Sequence, residues 1–88
     1  MPAAQQQISL FVGNLAYFTS EAALRAHFDA CAPVRHCQLI VDHDTGDSKG
    51  YAFVTMGTLA GTEQAIRDLD GSELDGRAIR VSQSRGRR

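Results

Sequence analysis

From Ile8 to Gly13 apolar and polar positions alternate. Ile8, Leu10 and Val12 share one face of an extended segment and Ser9, Phe11 and Gly13 the other, which predicts a first strand. The period then changes to that of a helix. Behind a Ser20–Glu21 cap signal, Ala23, Leu24, His27, Phe28 and Cys31 recur at helical spacing, predicting a helix over 21–30. Pro33 closes that segment, and the β-prone run from Val34 to Val41 predicts a second strand. Asp42 to Ser48 is a cluster of turn formers, and a β pattern returns from Tyr51 to Met56, so a hairpin with a long polar loop is expected. Thr58 to Leu69 predicts a second helix through Leu59, Ala65, Ile66 and Leu69, stopped by Asp70-Gly71; Gly61 weakens it by roughly 1 kcal/mol relative to Ala. Leu74-Asp75-Gly76 then turns the chain into a last strand, Arg77 to Ser82, with Ile79 and Val81 facing one way and Ala78, Arg80 and Ser82 the other.

The order strand, helix, strand, strand, helix, strand is the split βαβ arrangement. It predicts an α+β, ferredoxin-like βαββαβ sandwich in which two helices cover one face of a four-stranded antiparallel sheet. One domain over 8–82 accounts for the chain, with a disordered tail at 1–7 and a basic, Arg-rich tail at 83–88. Alternation leaves the second face of the sheet open and places Phe11, Lys49, Tyr51, Phe53 and Thr55 on it, with Gly50, Ala52, Val54 and Met56 turned inward.

Composition adds few constraints until charge is mapped along the chain. With 43% hydrophobic and 22% charged residues, the 88-residue chain has the profile of a folded globular domain. The net charge of −1 argues at first against a polyanionic partner. Yet residues 1–76 hold four basic and ten acidic side chains, and residues 77–88 hold five Arg and no acid, so the strong positive charge is gathered at one end. No apolar run approaches the roughly 20 residues of a membrane span, and 1–7 lacks the order of a secretory signal. An intracellular, cytoplasmic protein without membrane attachment is expected, the nucleus being open if the source is eukaryotic. Cys31 and Cys37 then read as reduced packing residues. His27, His36 and His43 fall on a helix, a strand and a loop and make no metal set; no nucleophile with its base, phosphate loop or dinucleotide fingerprint is present. Neither a cofactor nor catalysis is expected.

The open aromatics carry the chemistry. Phe11, Tyr51 and Phe53 on adjacent strands are costly surface unless something covers them. Aromatic rings beside cations suit single-stranded nucleic acid, because every base has a flat π-face worth roughly 1–3 kcal/mol when stacked. The alternative is that the three rings are core residues of a sheet covered on both sides. At this point Leu10-Phe11-Val12-Gly13-Asn14-Leu15 and Lys49-Gly50-Tyr51-Ala52-Phe53-Val54-Thr55-Met56 resemble the hexapeptide and octapeptide ribonucleoprotein motifs of the RNA-recognition-motif family. Family-like surroundings extend from Ile8 to Ser82.

The resemblance implies that Phe11 and Phe53 each stack on a base, that Tyr51 packs near the sugars between them, and that Lys49 meets a phosphate. Asn14 is expected to fix the following loop by local hydrogen bonds more than to read a base. Arg80 and Gln38 on the outward face, with Ile40 beside Gln38, are candidate contacts, as is Arg85 in the tail. Met56 stands where the octapeptide usually ends on an aromatic, a change that bears on packing. Asp47 stands at a loop position that is often basic in the family, and together with Asp42 and Asp44 it leaves this loop acidic, which should weaken its help in clasping RNA. The expected partner is single-stranded RNA, with single-stranded DNA open, bound by a monomer. Two other readings are a protein-binding member of the same fold, favoured by the acidic body of the chain, and a small acyl phosphate hydrolase on the same scaffold. The second lacks a loop built to cradle phosphate.

Overall fold

The structure, a computed structural model, describes residues 9–84; the tail at 1–7, Ile8 and Arg85 lie outside the described residues. Strands β1 (Ser9–Gly13), β2 (Val34–Val41), β3 (Ser48–Met56) and β6 (Arg80–Ser84) form one sheet in the order β2-β3-β1-β6, every neighbouring pair antiparallel. Helices α1 (Glu21–Asp29) and α2 (Leu59–Leu69) pack on one face of it. This is the expected ferredoxin-like sandwich.

Each helix begins where the sequence supplies a cap. Ser20 Oγ accepts from the Ala23 N–H at 3.0 Å and Thr58 Oγ1 from the Gly61 N–H at 2.9 Å, satisfying donors that a helix start leaves free. Gly61, a weak helix former by composition, has a packing reason to be there: a Cβ would lie 3.0 Å from Thr58 Oγ1 and 3.2 Å from Ala32 Cβ. The inward residues Leu10, Val12, Ala52, Val54, Ile79 and Val81 meet Leu24, Phe28 and Ala65 of the helices in one core. Removing such apolar surface from water stabilises the fold by about 25 cal/mol per Å².

One turn apart along α1, Glu21, Arg25 and Asp29 reach the free edge of β2. Glu21 accepts from the Leu39 N–H at 2.9 Å, Arg25 donates to the Val34 carbonyl at 3.1 Å, and Asp29 accepts from the Val34 N–H at 3.1 Å. Side chains that occupy backbone groups of an edge strand make it a poorer template for pairing with another strand.

Three features depart from the sequence-based expectation. The last strand does not run unbroken from Arg77 to Ser82. Glu73–Leu74 (β4) and Arg77–Ala78 (β5) form a separate two-residue hairpin, and the sheet strand begins at Arg80 and extends to Ser84, where Ser84 pairs with Ser9. The break has a cause: Asp75 and Gly76 both take positive φ (53° and 86°), the primed turn that closes a two-residue hairpin. Ile79 then bonds sideways, its N–H to Ser72 and its carbonyl to the Gly71 N–H. Second, β3 starts at Ser48 rather than Tyr51, because the loop before it is pulled into a turn. Asp42 Oδ1 accepts from the Asp44 and Thr45 N–H groups, and the Asp42 N–H donates to the Asp47 carbonyl at 2.8 Å. Third, Thr55 is buried, not exposed, and its hydroxyl lies 3.2 Å from that of Ser9. Among the described residues no helix is long and apolar enough to cross a membrane.

Candidate nucleic-acid interface

Register brings the outward residues into line. Gln38 pairs with Phe53, Phe53 with Phe11, and Phe11 with Ser82, so these four share one face and form a single row across all four strands. Tyr51 joins the row from two residues back along β3. The three ring centroids make a nearly equilateral triangle, 5.7 Å for Phe11–Tyr51, 5.9 Å for Phe11–Phe53 and 6.0 Å for Tyr51–Phe53. Phe11 and Tyr51 are stacked at 29°, while Phe53 stands edge-on to both. All three rings are part-exposed on the face away from the helices, so they are not the core of a doubly covered sheet.

Gly13 is part of this surface by virtue of having no side chain. The Phe11 ring leans along the strand over it, and a Cβ at Gly13 would lie 2.8 Å from Phe11 Cε2 and 3.3 Å from Cζ. The ring therefore occupies the space that any other residue would fill.

The cations are arranged less simply. Lys49 is exposed, but simple alternation does not place it. Between the pairs Leu39↔Ala52 and Val41↔Ser48, the residues Lys49, Gly50 and Tyr51 stand opposite Ile40 alone, and Gly50 has φ 85°. This bulge interrupts the period of two and re-aims the chain at the start of β3. Arg80 is exposed, yet its Nε lies 3.3 Å from Asp70 Oδ1, the same oxygen that accepts from the Val81 N–H at 2.9 Å. The Val81 amide first, and the Arg80 guanidinium second, hold the Asp70 carboxyl below its ordinary range. Asn14 takes φ 61° and fixes its loop, but not by local bonds. Its Nδ2 donates to the Ala78 carbonyl at 2.8 Å, and its Oδ1 and carbonyl accept from Arg77 at 2.6 and 3.2 Å. The Asn14 amide is thus committed to residues 63 and 64 positions away. Arg85 lies outside the described residues.

Two aromatics went unremarked in the sequence. Tyr17 and Phe18, in the loop between β1 and α1, are 77% and 63% exposed and meet edge to face at 5.6 Å. Periodicity assigns no face to a loop; the available signal was the adjacent aromatic pair just before a helix cap. No group of three or more His, Cys, Asp or Glu close enough to hold a metal ion occurs among the described residues.

An open antiparallel sheet backed by two helices, with an aromatic triangle on its bare face, defines a domain of the RNA-recognition-motif type. The chain belongs to the RNA recognition motif family, whose sequence profile matches residues 10–80. It is 41% identical over 78 residues to the chloroplastic RNA-binding protein CP29B of Arabidopsis thaliana, covering 89% of this chain and 27% of that protein. To RbpB of Nostoc sp. it is 41% identical over 80 residues, 91% of this chain and 78% of that one. The chain thus spans about a quarter of the chloroplast protein's length. Among solved structures, RNA recognition domains 1 and 2 of Sex-lethal from Drosophila melanogaster superpose with TM-score 0.83 at 32% identity, covering 90% of this chain and 50% of that chain. The Rna15 domain with bound RNA (GU) gives 0.80 at 28% identity, covering 89% and 83%.

Proposed function

We propose that this domain binds single-stranded RNA by stacking bases on Phe11 and Phe53, with Tyr51 against the sugars between them. One observation carries the reading: three part-exposed rings within 6.0 Å of one another on the helix-free face, in a row closed by Gln38 and Ser82. Stacking on such a platform is tolerant of base identity, so Gln38 is the residue of that row best equipped to prefer one base over another. Lys49 and Arg80 supply phosphate contacts, Arg80 after release from Asp70. Domains of this family occur in complexes with RNA, the Rna15 domain among them, and proteins named for RNA binding are among the relatives. A site of about two to four nucleotides, held by a monomer in a post-transcriptional or RNA-chaperone role without catalysis, fits a platform of this width. The chloroplast relatives make location a separate question from binding, and the cytoplasm is the sequence-based expectation alone.

The test is fluorescence anisotropy with a randomised RNA of about eight nucleotides, in a salt series, comparing wild type with Phe11→Ala plus Phe53→Ala. Wild-type affinity should fall with salt at a logarithmic slope of roughly −0.7 per phosphate contacted. The double variant should lose several kcal/mol, about 1–3 for each base left unstacked, while keeping a cooperative melt. A DNA strand of the same length measures how far the 2′-hydroxyl matters. Absence of wild-type binding at low salt would overturn the proposal and turn attention to a protein partner.

A further inference from the structure

We infer that Asp70 is a resident competitor for Arg80: its carboxylate occupies the cation that an RNA phosphate uses, and so limits the affinity of the site. The inference rests on the RNA-binding reading above. Arg80 pairs across β1 with Gly13, the residue over which the Phe11 ring leans, and by alternation it shares the outward face with Ser82 and Phe11. Directly opposed residues of antiparallel strands stand about 4.5–5.5 Å apart, so the Arg80 side chain starts beside the Phe11 ring, within reach of the phosphate of a base stacked there. The guanidinium is turned elsewhere. β6 ends the sheet, and on its unpaired edge Asp70 Oδ1 accepts from the Val81 N–H at 2.9 Å while Arg80 Nε lies 3.3 Å from the same oxygen.

The two partners are not held alike. Asp70 directly follows α2, and the residues after it are fastened to Ile79: the Gly71 N–H donates to the Ile79 carbonyl at 2.7 Å and the Ile79 N–H to the Ser72 carbonyl at 2.9 Å. With the Val81 amide on Oδ1, the carboxylate keeps its place whether or not Arg80 is there. The guanidinium is the movable partner. It meets Asp70 through Nε alone, at 3.3 Å, whereas strong charge-assisted bonds run at about 2.7–2.9 Å and Arg77 gives Asn14 two bonds. The side chains of Arg80 and Asp70 are 72% and 41% exposed, so water and salt weaken the pair, and opening it leaves no buried charge behind. A single contact does not align the guanidinium for a phosphate. A phosphate that met Arg80 where it now lies would also stand beside a carboxylate of its own sign. RNA therefore gains this cation by drawing it from the edge of β6 onto the face, against the pull of Asp70.

The experiment measures anisotropy of a randomised RNA of about eight nucleotides on wild type, Asp70→Asn, Arg80→Ala and the double variant, from about 0.05 to 0.5 M salt, with a thermal melt of each protein to establish folding. Asn removes the charge and keeps an acceptor for the Val81 N–H. Asp70→Asn should bind roughly two- to fivefold more tightly than wild type at the lowest salt, the scale of an exposed ion pair, and the gain should shrink as salt rises. Arg80→Ala should bind more weakly than wild type with a salt slope smaller by roughly 0.7, and in that background Asp70→Asn should lose most of its effect. Wild type itself gives a further readout: the Arg80 Nε–H signal in NMR should move when RNA is added. If wild type binds no RNA, both readings fall. If wild type binds but Asp70→Asn binds no tighter at low salt, or gains as much in the Arg80→Ala background, the competition alone is refuted. Weaker binding by Asp70→Asn, matching that of Arg80→Ala, would make Asp70 a support for Arg80 and equally overturn it, as would an Arg80 Nε–H signal unmoved by saturating RNA.

Discussion

Gly13→Ala separates the seating of the Phe11 ring from the stability of the strand beneath it. The added methyl would sit 2.8 Å from Phe11 Cε2. Carbon atoms in good contact stand about 3.5–4.0 Å apart, so the ring must withdraw by about 0.7 Å or more. Tyr51 and Phe53 already flank it, at 5.7 and 5.9 Å between centroids. The ring therefore tilts away from a staggered χ at a cost of roughly 0.5–1.5 kcal/mol. Against this, replacing Gly by Ala restricts the unfolded chain and returns roughly 0.4–1 kcal/mol. The two nearly cancel, so the melting temperature should move by no more than about 4–8 °C in either direction. Binding has no such compensation. A tilted Phe11 no longer lies flat against its base, and losing much of the roughly 1–3 kcal/mol of one stacked base weakens RNA affinity by at least about fivefold. Thermal melting and anisotropy on the same samples give both numbers. A double-mutant cycle sharpens them: in a Phe11→Ala background, Gly13→Ala has no ring to displace and should leave affinity unchanged. Wild-type affinity in the Gly13→Ala single variant, or an equal loss in the Phe11→Ala background, would refute the reasoning.

Two further outcomes follow from the titratable groups. Because the Val81 N–H and Arg80 hold the folded-state pKa of Asp70 down, this carboxylate stabilises the fold above the ordinary carboxylate range, and the contribution is lost as pH falls through it. Asp70→Asn, which keeps an acceptor for the Val81 N–H, should flatten the acid side of a pH–melting curve relative to wild type; an unchanged curve would show that the pair is too weakly coupled to matter. Cys37 is buried, and burial first, with the Glu21 charge second, pushes its thiol up to about 11. At pH 8 only about one molecule in a thousand would carry the thiolate, so iodoacetamide followed by mass spectrometry should label half-buried Cys31 first and Cys37 only after unfolding.

Much of this molecule could be read from local pattern. A period of two in Ser9–Gly13 and Tyr51–Met56, and of about 3.6 behind Ser20 and Thr58, specified which apolar residues of these segments enter the core, and hence that Phe11, Tyr51 and Phe53 stay on the other face. Those positions follow from the chain's own geometry, because side-chain direction in a strand or helix depends only on neighbours a few residues away. Other features answer to partners far along the chain. Asn14 is held by Arg77 and Ala78, Arg80 by Asp70, and Ile79 turns aside to Ser72, breaking a strand that alternation alone draws as continuous. The bulge at Lys49–Gly50 lies where β3 pairs with β2, and the loop that carries Tyr17 and Phe18 is tied at Thr19 to Asp75, 56 residues further on. Local period determines the face a residue takes. Only the meeting of distant segments decides which polar groups are already spoken for, and so which cations and rings remain free to meet a ligand.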